Sequence, residues 1–258
     1  MKLTFLGTGT SFGVPQLGCG CAVCRSDDPC DKRTRVGAAV ETDGGAVILI
    51  DTPPELRLQL LASRITRVDA VLFTHLHADH THGIDDLRAI TARRDTHLPM
   101  YGSADTLAGL AHKFDYIFDD AIRPAPGTSK PQGRTIALAP GVPVRIADVD
   151  VTPVPVPHGP VTVYGYRIGP LAYVTDAQAM PDAAVAALRG ARVLVINALF
   201  HKPHPSHLSV QEAVAAARRI GAELTYLTHL THENFHAALE AELPPGIAPA
   251  FDGLSIPV

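Results

Sequence analysis

The 258-residue chain has no tryptophan and no apolar run near the roughly 20 residues that a membrane-spanning helix needs. Basic residues are in no excess. Its 22 Lys and Arg stand against 26 Asp and Glu, a net charge of −4, which argues against a function resting on broad attraction to nucleic acid. The start, Met1-Lys2-Leu3-Thr4-Phe5-Leu6-Gly7, reads as a strand ending at a glycine and lacks the features of a signal peptide. The expectation is a cytoplasmic protein with no membrane contact. No linker, repeat or low-complexity tract breaks the chain, and its length suits one domain, residues 1–258, with a sizeable core. Cysteine is scarce as well: only Cys19, Cys21, Cys24 and Cys30, all in a glycine-rich loop at about 18–30. In a reducing compartment such clustering points to metal rather than to disulfides.

Proline and glycine are plentiful, at 22 and 21, and favour many short elements joined by tight turns. Strand-like runs occupy residues 2–6, 38–42, 46–51, 70–73, 144–146, 149–154, 162–168, 171–174, 193–197 and 223–227. Helical patterns lie between some of them. Thr52 precedes Pro53 at an expected first turn, after which Leu56, Leu60 and Leu61 share a face. Ser103 is the expected cap of a helix running through Lys113. Ser209-Val210-Gln211-Glu212 reads as a capping box, with Gly221 as the stop of its helix, and the proline-rich residues 119–132 read as loop. Each half runs strands first and helices after. Two mixed sheets packed face to face with helices outside would satisfy that order, giving a four-layer αββα sandwich.

Histidine is where the chain is rich. Of thirteen, four fall with an aspartate in Thr74-His75-Leu76-His77-Ala78-Asp79-His80-Thr81-His82, directly after the apolar stretch 68–73. Alternate residues of an extended segment share a face, so His75, His77 and Asp79 can converge while His80 turns the other way. This is more donors than the about three protein ligands of a catalytic zinc, and it suggests two metals. Further donors stand just past other apolar runs: Asp51, His158, Asp176 and His229. Residues at strand ends are where an open α/β sheet builds its site. The simplest partition assigns His75, His77 and His158 to one ion and Asp79, His80 and His229 to the other. Asp176 bridges them, and Asp51 orients a ligating imidazole. For the cysteine loop, three thiolates need a fourth ligand; either Cys30 or a distant histidine could supply it.

His75-x-His77-x-Asp79-His80, with His158, Asp176 and His229 downstream, resembles the metallo-β-lactamase superfamily over essentially the whole chain. Within it, Gly7-Thr8-Gly9-Thr10-Ser11, Gly18-Cys19-Gly20-Cys21-x-x-Cys24, His207-Leu208-Ser209 and Asp252-Gly253 are similar to the phosphoribosyl cyclic-phosphate phosphodiesterases of phosphonate breakdown. The resemblance implies a structural zinc on Cys19, Cys21, Cys24 and His232, with Cys30 left out. It also implies that His207 serves the substrate phosphate or the leaving group. His207 precedes the Ser209 cap, near a helix N-terminus suited to anionic groups; His201 and His204 share its loop. His207 and Asp79 are thus the expected catalytic residues, Asp79 being a ligand too.

The expected activity is hydrolysis of small phosphodiesters, cyclic ribose or nucleotide esters among them, by a hydroxide generated between two divalent ions. Zinc, manganese and iron all suit the His/Asp set. A small phosphodiester is then the partner, nucleic acid is disfavoured, and a homodimer is compatible with the sequence. A β-lactamase is argued against by Asp176, which stands where those enzymes use a cysteine ligand. Two alternatives remain at this level: a tRNA 3′-processing endonuclease, for which no basic Gly/Pro-rich arm is visible, and a non-hydrolytic accessory protein of cofactor biosynthesis.

Overall fold

Strands apolar at nearly every position need cover on both faces. In the computed structural model, which describes residues 1–94 and 96–258, layering provides it. One sheet runs β1 (Lys2–Gly7), β2 (Gly37–Glu41), β3 (Val47–Ile50), β4 (Ala70–Leu72), β5 (Leu98–Gly102), β6 (Gly133–Ala137). The second runs β7 (Val144–Ile146), β8 (Val149–His158), β9 (Val161–Ile168), β10 (Leu171–Val174), β11 (Val193–Asn197), β12 (Leu224–Thr228), β13 (Ile247–Pro249), and β14 (Ser255–Pro257) returns to the first sheet beside β1. Each sheet begins with antiparallel pairs and changes to parallel ones, from β3 to β6 and from β10 to β13.

Alternation along the strands explains the packing. In β3, Ile48 and Ile50 face the inner core with Tyr166, Tyr173 and Val195 of the second sheet, whereas Leu49 faces outward. In β11, Val193 and Val195 point in, Leu194 and Ile196 out. Helices α1 (Leu56–Ala62), α2 (Ala78–Thr81), α3 (Arg88–Thr91), α4 (Ala104–Lys113) and α5 (Asp115–Phe118) follow strands of the first sheet. Leu56, Leu60, Leu107, Leu110 and Ile117 among them cover its outer face. Helices α6 (Asp182–Leu188), α7 (Val210–Ile220) and α8 (His236–Glu242) cover the second. Each fully buried Leu or Ile side chain contributes about 1.5–3 kcal/mol over leaving it exposed. The result is the expected four-layer sandwich.

Ser103 caps α4, residues 119–132 lack strands, and the Ser209–Glu212 capping box and left-handed Gly221 bound α7 as expected. The first helix differs. It starts at Leu56 behind Pro53 and Pro54, its flanking Glu55 makes no side-chain cap, and Thr52 instead donates to the Thr81 carbonyl. Leu61 is 61% exposed and leaves the face of Leu56 and Leu60. Strands β5, β6, β13 and β14 have no counterpart among the strand-like runs of the sequence. Pro99 breaks the pattern of β5, β6 is a mostly exposed edge strand, and the last two are three residues long. Pairing with a neighbouring strand, not periodicity, makes such segments strands.

Candidate metal centre

The parallel register aligns Ile50 with Leu72, and Val174 with Ile196 and Leu227, so β3, β4, β10, β11 and β12 end along one rim. The residues just past these ends shape the site. Asp51, Asp176 and His229 all have positive φ, at 65°, 59° and 58°. Asp and His tolerate that left-handed conformation better than most residues, and it folds each side chain back over the rim. Asn197, closing β11, clamps the Asp176 turn: its Oδ1 accepts from the Ala177 N–H at 2.8 Å and its Nδ2 donates to the Ala177 carbonyl at 3.1 Å.

After β4 the chain stays extended only as far as His77, the residue before α2. Asp79 and His80 lie on that single helical turn, correcting the expectation of an extended run through Asp79. The turn separates the two donor groups: His75 and His77 join His158 and Asp176, while Asp79 and His80 join His229. Within each, the donor atoms lie within 4.8 Å of one another. The Asp176 carboxylate stands between them. Its Oδ2 is 3.7 Å from His75 Nε2, 3.5 Å from His80 Nε2, 3.8 Å from His158 Nε2 and 3.3 Å from His207 Nε2. Its Oδ1 is 3.4 Å from His229 Nε2. His82, the fourth histidine of the cluster, packs instead on Phe114.

Buried hydrogen bonds set the imidazole orientations. Asp51, fully buried, accepts from the Thr74 N–H and hydroxyl at 2.8 Å each and from His80 Nδ1 at 2.7 Å. His158 Nδ1 donates to the Ser206 carbonyl at 2.8 Å. In both rings Nε2 then faces Asp176. Burial presses His75, His77 and His158 below their ordinary range, so their lone pairs are free at neutral pH. Burial opposes charge on His80 too, but the carboxylates of Asp176, Asp51 and Asp79 outweigh it and hold that imidazole well above its usual value. Asp79 and Asp176 are likewise burdened by burial, and the surrounding imidazoles hold both well below the usual carboxylate range.

The donors fit a pair of divalent cations. Nε2 of His80 and both ring nitrogens of His229 are buried without a hydrogen-bond partner among the described residues. Leaving such groups unpaired costs about 1–3 kcal/mol each, a penalty that ligation removes. A second cluster lies behind the Thr8–Ser11 segment. His232 Nδ1 is 3.3 Å from Cys19 Sγ and 3.6 Å from both Cys21 Sγ and Cys24 Sγ. A tetrahedral zinc with Zn–S about 2.3 Å and Zn–N about 2.0–2.1 Å sets sulfur–nitrogen edges of roughly 3.5 Å, so these four atoms fit it. A hydrogen bond from the Cys24 N–H, helped by Cys19 and His232, brings the Cys21 thiol down to about 7. Cys30 lies outside the cluster, in the short turn Pro29–Asp31.

His207 stacks on His229 with ring centroids 4.9 Å apart and places Nε2 beside Asp176. His204 stands behind it, 3.4 Å from its Nδ1. His201 turns away to Gln211 and Glu242. At the α7 N-terminus the Glu212 carboxylate accepts from the Ser209 N–H at 2.8 Å, and the Val210 N–H donates to the Phe200 carbonyl at 2.9 Å. Sequence reasoning missed Thr74, Asn197 and Ser206, which orient the donors; only their position at strand and loop ends could have marked them.

The family model of the beta-lactamase superfamily domain matches residues 47–230. An octanoyltransferase of Porphyromonas gingivalis is 40% identical over 259 residues, covering 98% of this chain and 51% of that protein. Coenzyme PQQ synthesis protein B of Methylorubrum populi is 28% identical over 178 residues, 58% of this chain and 56% of that one. The chain thus spans about half the length of these curated relatives. A crystal structure of a diphosphatase of the PhnP family superimposes with TM-score 0.91 at 39% identity, covering 100% of this chain and 97% of that one. With both sheets, their flanking helices and the clustered His/Asp donors in place, the chain belongs to the metallo-β-lactamase superfamily.

Proposed function

We propose that the chain, taken as one functional unit over residues 1–258, is a metal-dependent hydrolase of small phosphodiesters. The observation that carries this reading is the placement of Asp176 between two donor groups, so that its carboxylate could serve a cation held by either. Two divalent ions there (zinc, manganese or iron) would supply an ionised water near neutral pH and offset the charge on the phosphoryl oxygens. The chain's own groups do the rest. Asp51 and the Ser206 carbonyl keep His80 and His158 in the ligating tautomer. His207 reaches the cavity of about 350 Å³ that opens over the pair, where it can hold a phosphoryl oxygen or give a proton to the leaving group. Cys19, Cys21, Cys24 and His232 hold a structural zinc in this reading.

The 39% identical diphosphatase supports reaction at phosphorus and brings diphosphate linkages into the substrate range. The similarity to a PQQ synthesis protein favours a second reading, a non-hydrolytic accessory role, against which all seven active-site donors are present and converged. Metal analysis combined with turnover of bis(p-nitrophenyl) phosphate and of a dialkyl diphosphate separates the two. Three metals per chain and hydrolysis are expected. One tight metal and no turnover would overturn the hydrolase reading.

A further inference from the structure

The loop between β11 and α7 brings two imidazoles together in a way that hydrolysis at the metal pair does not use. His204 Nδ1 lies 3.4 Å from His207 Nδ1. The Ser206 hydroxyl oxygen is 3.2 Å from the first nitrogen and 3.0 Å from the second. Both nitrogens are acceptors. His204 Nδ1 takes the Ser206 N–H at 3.3 Å. His207 turns Nε2 to the Asp176 carboxylate at 3.3 Å; an ionised carboxylate only accepts, so the neutral ring carries its proton on Nε2 and a lone pair on Nδ1. Two lone pairs thus face each other, and the single Ser206 hydroxyl proton can serve only one of them. The loop is held this way from both sides: the Ser206 carbonyl accepts from His158 Nδ1 at 2.8 Å, and the Phe200 ring stands nearly perpendicular to that of His204, centroids 5.7 Å apart.

Facing lone pairs call for a positive centre between them. A tetrahedral zinc with Zn–N about 2.0–2.1 Å sets nitrogen–nitrogen edges of roughly 3.3–3.4 Å, which the two Nδ1 atoms match. The Ser206 oxygen closes the triangle, and water can take the fourth position. An ion can reach the place from solvent, because His204 and His207 both line a cavity of about 230 Å³. Among the described residues that cavity has Glu233 as its one carboxylate and no lysine or arginine, a balance that favours cations. We propose that His204, Ser206 and His207 form a further zinc site, distinct from the catalytic pair and the cysteine cluster, and that an ion held there inhibits the protein. With zinc on Nδ1, His207 keeps a single proton on Nε2. Giving it up would leave an imidazolate, so the ring is a far weaker acid than an imidazolium and no longer protonates an alkoxide. The site stands on its own geometry; only the inhibition rests on the phosphodiesterase reading.

In the test, protein carrying its resident metals and freed of excess is titrated with zinc chloride in a calorimeter. The wild type should bind one further ion per chain. His204→Ala should weaken that step about tenfold or more, since disturbing even an outer partner of a metal costs about 10–100-fold. His204 is half-buried in a loop, so the truncation leaves the core intact. His201→Ala, in the same loop but turned to Gln211 and Glu242, should bind the extra ion like wild type. Added zinc should also slow an alkyl diester about tenfold or more beyond its effect on bis(p-nitrophenyl) phosphate, a part of what general-acid help is worth, and His204→Ala should erase that difference. No binding beyond the resident metals, or equal affinity in His204→Ala, overturns the site. Equal slowing of both esters overturns the inhibition through His207. None of these results touches the phosphodiesterase reading, which fails if the protein without added zinc turns over neither ester.

Discussion

Asp176 shows how a single residue links backbone strain to chemistry. Its positive φ costs about 1 kcal/mol or more relative to an ordinary conformation, and in exchange the carboxylate stands among five imidazoles, of which His229, His80 and His207 keep it ionised. His207, beside it, is the residue whose role separates experimentally. Burial lowers its pKa, an effect that the Asp176 contact only partly offsets, so its proton is present only on the acid side of the usual histidine range. An alkoxide leaving group needs that proton, whereas p-nitrophenolate does not. His207→Ala should slow an alkyl or ribose diester by about 10²–10⁴-fold and bis(p-nitrophenyl) phosphate far less. The wild-type rate on the alkyl ester should also fall as pH rises through the His207 pKa, a limb missing with the activated ester. Equal losses on both substrates would instead assign His207 to phosphate positioning.

At the scale of elements, the segment after β12 joins the two clusters. His229 faces Asp176, and three residues on His232 meets the cysteines, while Leu230 N–H donates to the Thr8 carbonyl at 2.9 Å. Buried Arg33 secures the same segment, donating to the carbonyls of Thr231 and Asn234 at 3.0 and 2.9 Å. Gly7 and Gly9 let the Thr8 strand end approach residues 33–35, where a Cβ at either position would collide with backbone carbonyls. Structural zinc contributes directly to folding free energy. Cys21→Ser and His232→Ala should therefore lose one tightly bound zinc and melt at lower temperature while the other two metals still load. Cys30→Ser should stay within about 0.5 kcal/mol of wild type. Zinc lost from Cys30→Ser but kept by His232→Ala would reverse the ligand assignment.

Across the whole molecule, the inner core joins the two sheets, and two hydrogen bonds pin that joint beside the site. Tyr166 of β9 donates its hydroxyl to the Phe73 carbonyl at 2.5 Å, and the Tyr164 N–H donates to the Thr74 carbonyl at 3.0 Å. Both acceptors lie in the short stretch between β4 and His75. Tyr166 is fully buried, so Tyr166→Phe removes the partner of a buried carbonyl with little change in shape. The expected cost is about 1–3 kcal/mol, or roughly 2–4 °C per kcal/mol in Tm for a chain of this size. An unchanged melting temperature would show that the Tyr166 hydroxyl contributes nothing to holding the sheets together.

Local pattern was enough to read the apolar runs of β1–β4 and β7–β12, the Ser209–Gly221 helix, and the donor residues at the ends of β3, β4, β8, β10 and β12, because periodicity, capping and strand ends are properties of neighbouring residues. It placed His75, His77, Asp79, His80, His158, Asp176 and His229 as candidates, and left the partner of the cysteine loop open between Cys30 and a histidine, a choice made only by the resemblance. The tertiary structure decided what depends on distant segments meeting. It brought His232 rather than Cys30 to the sulfurs, set Asp79 on a helical turn, turned His201 away and His207 in, and paired Asp51 with His80 across 29 residues. Edge strands such as β6 and wedges such as Asn197 carry no periodic signal; a strand exists there because a neighbour offers hydrogen bonds, and a clamp because a turn needs one. Sequence determines which groups are available near a strand end, and only the packing of one sheet on the other determines which of them share a point in space.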